Sequence, residues 1–124
     1  GFEIVKLLIA AGADMNKTAT ENGWTALHIA ADDGNTETAK LLIDARTSDT
    51  DLDKTCNIDG YTALHAAAYS RDGSETVKLL IAAGADVNKT TKDGRTPLFI
   101  AAKNGHTADN SVTFLLIFPQ QAHE

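Results

Sequence analysis

Leu7–Lys17 reads LLIAAGADMNK and Leu79–Lys89 reads LLIAAGADVNK; only Met15 and Val87 differ. A chain of 124 residues that spells one eleven-residue phrase twice is built from similar units. Working outward, Glu3-Ile-Val-Lys-Leu-Leu-Ile recurs as Glu37-Thr-Ala-Lys-Leu-Leu-Ile and as Glu75-Thr-Val-Lys-Leu-Leu-Ile. A second phrase alternates with it: Gly23-Trp-Thr-Ala-Leu-His, Gly60-Tyr-Thr-Ala-Leu-His and Gly94-Arg-Thr-Pro-Leu-Phe. Lys6, Lys40 and Lys78 step by 34 and 38, and the three glycines by 37 and 34. A period of about 33 residues with small insertions marks a stacked repeat. The middle copy of the first phrase is eroded to LLIDARTSDTDLDK (Leu41–Lys54).

Each unit has a physical reading. Thr25, Thr62 and Thr96 suit helix N-caps, because a hydroxyl accepts an orphan backbone N–H. Pro97 suits a first helical residue. The small residues that follow let neighbouring helices approach closely. This first helix is predicted to end near Gly34, Gly73 or Gly105, where glycine takes a left-handed conformation. The second helix carries Glu and Lys three residues apart, expected to face each other on the solvent side. Gly12 and Gly84 stop it, and Asn-Gly or Asp-Gly before the next Thr is turn chemistry. The unit is helix, turn, helix, then a hairpin-like loop.

Gly-x-Thr-Pro-Leu-His-x-Ala-Ala followed by Val-Lys-Leu-Leu-x-x-Gly-Ala-Asp-Val-Asn resembles the ankyrin repeat, in phase over three copies. The resemblance implies an all-α solenoid forming one domain over 1–124: a half repeat at 1–18, repeats at 19–55, 56–90 and 91–118, and a tail at 119–124. It implies a concave side lined by hairpin tips and first helices, and a protein-binding scaffold rather than an enzyme. The chain departs from the pattern in places. Ala26 and Ala63 replace proline, and Phe99 replaces the histidine. Asp44–Asp53 is longer and lacks Gly-Ala-Asp, Tyr69–Asp72 adds about one residue, and His106–Ser111 adds two or three.

Composition narrows the function class. A net charge of −6 argues against a nucleic-acid or anionic-membrane surface. No run approaches the roughly 20 apolar residues of a membrane helix. The first residues, GFEIVKLLIAAGAD, lack the basic region and cleavage site of a signal peptide. The single cysteine, Cys56, fits a reducing, cytoplasmic setting. Asn16-Lys-Thr and Asn88-Lys-Thr match a glycosylation pattern but share one repeat phase, so common ancestry of the units explains both.

No catalytic signature, cofactor motif or metal-ligand set is expected. His28 and His65 fall one unit apart at the resemblance's structural histidine, where a hydrogen bond near the Thr turn is implied. Asp49, Asp51 and Asp53 open like a calcium loop, but Lys54 and Gly60 occupy the positions that need glycine and glutamate. The partner-binding candidates are the finger residues Trp24, Tyr61 and Arg95 and the pairs before each hairpin glycine: Glu21 and Asn22, Ile58 and Asp59, Lys92 and Asp93. The first-helix ends add Asp32 and Asp33, Tyr69 and Ser70, Lys103 and Asn104. Trp, Tyr and Arg dominate binding hot spots, and loops on a rigid scaffold carry recognition. Trp24 and Tyr61 have a competing role, packing on neighbouring fingers. Glu21, Asp32 and Asp33 set an acidic end against Lys92, Arg95 and Lys103, a gradient that orients a partner of complementary polarity.

The ends suggest a second function. The chain opens inside a second helix, which favours a piece cut from a longer array. Phe114–Phe118 is apolar for five residues before Pro119. An uncovered apolar end of this kind drives self-association.

Overall fold

The computed structural model describes residues 2–104 and 116–117. Among the described residues six helices have both ends defined: α1 (Phe2–Ala10), α2 (Ala26–Asp32), α3 (Thr36–Asp44), α4 (Ala63–Tyr69), α5 (Ser74–Ala82) and α6 (Pro97–Asn104). No strand occurs among the described residues. The helices stand in two rows. α2, α4 and α6 form one row and α1, α3 and α5 the other; α2 also packs on α3, and α4 on α5. This is the all-α stack of helix–turn–helix pairs that the repeated phrases predict.

Local chemistry starts each first helix. Thr25 Oγ1 accepts the His28 N–H at 3.3 Å, and Thr62 Oγ1 accepts the His65 N–H at 3.2 Å. Thr96 does the same for Phe99 at 3.2 Å, and α6 begins at Pro97. The first helices lie close because their facing residues are small: Ala30, Ala31, Ala66, Ala67, Ala68 and Ala101 are all buried. α4 has a neighbour on both sides and buries every residue from Ala63 to Ala68. The second helices supply Leu42 and Ile43 from α3, and Val77, Leu80 and Ile81 from α5. Each such aliphatic side chain contributes roughly 1.5–3 kcal/mol. The core divides into a large cluster around α4 and α5, which includes Ile100 and Leu116, and a smaller one where Ala30, Ala39 and Leu42 meet Val5, Ile9 and Met15.

α1 and α5 end in matching Schellman turns. Gly12 donates to Ile9 O and Ala13 to Leu8 O, each at 3.0 Å; Gly84 and Ala85 repeat this with Ile81 and Leu80, again at 3.0 Å. In the eroded unit Arg46 takes the glycine's place. Its N–H keeps the bond to Ile43 O at 3.2 Å, and its Nη1 donates to the same oxygen at 2.7 Å. The added residues turn on themselves, with Thr50 N–H bonded to Thr47 O at 3.0 Å. Asp51 then resumes the phrase: its Oδ1 accepts the Asp53 N–H at 2.9 Å, as Asp14 does for Asn16 and Asp86 for Asn88. The Gly-Ala pair is lost there, but the aspartate is only displaced.

Two expectations need correction. Gly34 closes α2 in the left-handed region at φ +68°, but Gly73 has φ −86° and closes nothing. The residue added after Tyr69 lets Ser70 end α4 in an extended conformation, and Gly73 becomes the N-cap of α5. Glycine is needed there for space, since a Cβ would stand 1.8 Å from Ala67 O. Gly105 lies outside the described residues, as do His106–Ser111 and most of Phe114–Phe118. The Glu–Lys reading is also amended. Among the described residues Lys40 Nζ pairs with Asp44 Oδ2 at 3.0 Å rather than with Glu37, one helical turn onward and largely in solvent.

Candidate functional site

Three fingers precede the first helices, each closed by a backbone bond: Ala19 N–H to Trp24 O at 3.0 Å, Cys56 N–H to Tyr61 O at 2.9 Å, and Thr91 N–H to Arg95 O at 2.9 Å. Short polar side chains shape the tips. Asn22 Oδ1 accepts the Trp24 N–H at 3.0 Å, and Asp59 Oδ1 accepts the Tyr61 N–H at 3.1 Å. Asp59 Oδ1 also accepts from the buried Cys56 thiol at 2.8 Å. The fingers are tied to one another. Asn57 N–H donates to Asn22 O at 2.7 Å, and Lys92 N–H to Asp59 O at 2.9 Å. Lys92 Nζ donates to Asn57 O. Asn22, Asp59 and Lys92 therefore hold the finger line while standing on its face.

The histidines join unit to unit. His28 Nε2 lies 3.0 Å from Tyr61 O, and His65 Nε2 lies 3.0 Å from Arg95 O. A carbonyl only accepts, so each Nε2 carries the proton and each Nδ1 is a bare acceptor. Nδ1 then receives two bonds from the cap: Thr25 N–H at 3.3 Å and Thr25 Oγ1–H at 2.9 Å for His28, and Thr62 N–H at 3.1 Å and Thr62 Oγ1–H at 2.8 Å for His65. Burial holds both imidazoles below their ordinary pKa, against the opposing pull of the carbonyls. The hydrogen bond near the Thr turn implied by the resemblance is present, and it extends across the seam.

The residue after each hairpin glycine leans on its own helix. The Trp24 ring is 5.7 Å from His28, the Tyr61 ring is 5.4 Å from His65, and the Arg95 guanidinium lies 5.4 Å over the Phe99 ring. The first two pairs are ring against ring; in the third a cation on the finger meets a ring on the helix. Trp24, Tyr61 and Arg95 are half-buried in consequence. The Tyr61 phenol is pushed above its usual pKa by burial first and then by the Asp59 charge, with Arg95 opposing. Glu21, Ile58, Asp59, Lys92 and Asp93 are exposed on the fingers, and Asn22 is half-buried. At the helix ends Asp32, Asp33, Tyr69 and Lys103 are exposed, while Ser70 and Asn104 are half-buried.

Some of these residues converge. Asp32, Tyr69, Ser70 and Asn104 line an open cleft of about 490 Å³ where α2, α4 and α6 end. Arg71 completes it. The sequence reading missed Arg71, although it sits inside the one-residue insertion at Tyr69–Asp72. Burial, and then the Asp33 charge, raises the Asp32 carboxyl above its usual pKa. Ile29 and Phe99, each about half exposed, are first-helix residues not among the binding candidates of that reading. Among the described residues no three His, Cys, Asp or Glu side chains group to hold a metal. Of the acidic trio, Asp51 Oδ1 holds its own turn, and Asp53 Oδ1 accepts the Asp86 N–H at 2.8 Å. No described helix is long and apolar enough to cross a membrane.

Two rows of helices and a line of bonded fingers define a helical-repeat protein whose face spans several units. The family description "Ankyrin repeats (3 copies)" fits residues 1–91, and "Ankyrin repeats (many copies)" fits residues 75–116. The chain belongs to the ankyrin-repeat family, whose repeats are generally protein–protein interaction modules and typically non-catalytic. It is 31% identical over 117 residues, 94% of its length, to the E3 ubiquitin-protein ligase KEG of Arabidopsis thaliana. It is 36% identical over 103 residues, 83% of its length, to the nuclear factor NF-kappa-B p105 subunit of Gallus gallus. The chain spans 7% of the length of each of these relatives.

Proposed function

We propose that this chain is a non-catalytic scaffold that holds a partner protein on its finger tips and first helices, in the cytoplasm. The observation that carries the reading is Ile58. It stands 68% exposed at the tip of the central finger, and backbone bonds tie that finger to both neighbours. An apolar side chain presented on ordered backbone anchors a contact with little loss of conformational freedom. Tyr69 adds an aromatic contact at the end of α4. The acidic and basic ends of the face set the partner's direction. The lone thiol of Cys56 suits the compartment. The test is capture of a partner from source-cell lysate, then reconstitution with purified partner and hydrogen exchange. Protection across 57–61 and 69–72, lost together with capture in Ile58→Ser, is expected. Equal capture by the parent and by a folded Ile58→Ser variant refutes the reading.

A second function, self-association through apolar ends, draws on α1. That helix buries no residue and leaves Ile4 67% and Leu7 68% exposed. At the other end Leu116 is buried and Ile117 exposed. Sedimentation over a hundredfold range of concentration decides: mass that grows in the parent and not in Leu7→Glu favours this reading, and a constant monomer mass sinks it.

A further inference from the structure

We propose that Ser48 is a phosphorylation site, modified by a protein kinase whose substrate groove is basic. The site lies on the loop after α3 and is independent of what the finger face holds.

The loop itself is the first argument. Two other units pass from a second helix straight into Gly12-Ala-Asp14 and Gly84-Ala-Asp86, whereas this one runs Arg46-Thr-Ser-Asp-Thr-Asp51. The change brings three hydroxyls to a stretch that has none in the other two. Those hydroxyls differ in availability. Thr50 is half-buried, and its Oγ1 accepts the Thr47 N–H at 3.1 Å. Ser48 and Asp49 form the tip of the turn that Thr50 N–H closes on Thr47 O, and both are exposed. The Ser48 hydroxyl makes no hydrogen bond among the described residues. No residue from Asp44 to Thr55 is buried, so drawing the turn out opens two surface bonds and leaves the core in place.

Spacing is the second argument. Asp49, Asp51 and Asp53 stand one, three and five residues after Ser48. In an extended acceptor segment alternate residues share one face, so the three carboxylates project together. A basic groove selects such a row by complementary charge. Of all the serines and threonines in the chain, Ser48 and Thr50 alone have an acid at both the first and the third following residue. Thr20, Thr36 and Ser74 have only the first, and Thr18 and Thr90 only the third. Thr47 has neither. A kinase that reads basic residues finds Arg46 alone in this loop, and Arg46 Nη1 is held by Ile43 O at 2.7 Å.

The chemistry is a phosphoryl transfer. Ser48 Oγ bonds to the γ-phosphorus of magnesium-bound ATP as the bond from that phosphorus to the β–γ bridging oxygen breaks. ADP leaves with the electron pair, and the serine proton passes to the kinase's catalytic carboxylate.

The test incubates the whole chain with magnesium, ATP and an acid-directed Ser/Thr kinase, and in parallel with a base-directed one. Intact mass and fragment-ion mapping read the product. A gain of about 80 Da at Ser48 is expected from the acid-directed enzyme. Ser48→Ala should abolish it, and Thr50→Ala should leave its rate within about twofold. The Asp49→Asn, Asp51→Asn double variant should slow it about tenfold. Asparagine at position 51 keeps the side-chain oxygen that accepts the Asp53 N–H, so the slowing reports charge rather than turn geometry. Arg46→Gln should not slow it. Circular dichroism checks that each variant keeps its helices. Transfer to another residue, faster transfer by the base-directed enzyme, or a rate indifferent to the two aspartates overturns the proposal. So does no transfer by an enzyme that phosphorylates an acidic control peptide in the same mixture.

Discussion

Replacing His65 by leucine keeps an apolar body of similar bulk and deletes both ring nitrogens. The structure sets the cost. The Thr62 N–H loses its acceptor in a site of no solvent exposure, which costs about 1–3 kcal/mol. The Thr62 hydroxyl loses a partner, and Arg95 O keeps only the Thr91 N–H, for about 0.5–1.5 kcal/mol each. The Thr62 cap survives, because its Oγ1 bonds the backbone N–H of residue 65 whatever the side chain. About 3 kcal/mol of lost stability is therefore expected, enough to lower Tm by about 10 °C. Urea denaturation of parent and variant measures it. The pH dependence gives a second reading of the same geometry. Both histidines have folded pKa values below the ordinary 6.5. Above that pH both folded and unfolded imidazoles are neutral, and they contribute no slope. Below it the unfolded chain takes up protons that the folded chain refuses. Stability then falls by up to about 1.4 kcal/mol per pH unit per histidine, until the lowered folded pKa is reached. His65→Leu should halve the histidine part of that slope. A loss under about 0.5 kcal/mol, or a slope unchanged on removing both rings, refutes the reasoning.

Gly73→Ala places a methyl 1.8 Å from Ala67 O and 2.8 Å from Ala67 C, so α5 must move off α4; a loss of about 3 kcal/mol is expected in urea melts. Thr76→Val should be neutral or stabilise by up to about 2 kcal/mol, since Thr76 is fully buried and its Oγ1 finds no hydrogen-bond partner; a clear loss on calorimetry would show that the hydroxyl is satisfied. Asp32→Asn should stabilise by about 0.3–1 kcal/mol near neutral pH, because it removes charge from the negative end of α2. That gain should vanish toward acid pH, where the raised pKa of Asp32 leaves the parent uncharged as well; a thermal-melt series across pH checks both limits.

Features governed by neighbours in sequence were legible there. Thr25, Thr62 and Thr96 cap helices, Pro97 opens one, and Gly12 and Gly84 sit in Schellman turns, because each effect acts within about five residues. The stack itself followed from the spacing of whole phrases. What escaped the sequence depends on contacts across units. Gly73 looked like Gly34 because both follow a first helix, but one inserted residue moved it from a helix end to a helix crossing. The repeated Glu-x-x-Lys spacing points Lys40 to Glu37, but its side chain reaches Asp44 instead, an acid that only the eroded unit carries at that position. Position on the finger offers Trp24 and Tyr61 a partner or a neighbouring finger, yet both rings lie back on the histidines of their own first helices, a preference set by ring contacts. Arg71 was passed over because an insertion carries no motif, although it falls within the cleft.

Tyr61 and Arg95 belong to two structures at once. Their carbonyls receive the imidazoles of the preceding unit, and their side chains lie against the first helix of their own. Anything that clamps those side chains also pins the backbone that latches one unit to the next. Gripping the fingers should therefore behave like tightening a zip from outside. Units that can fray one at a time in the free chain would open only together once the face is held. Occupancy of the fingers would then be legible from the other row of helices, as slower amide exchange in α3 and α5.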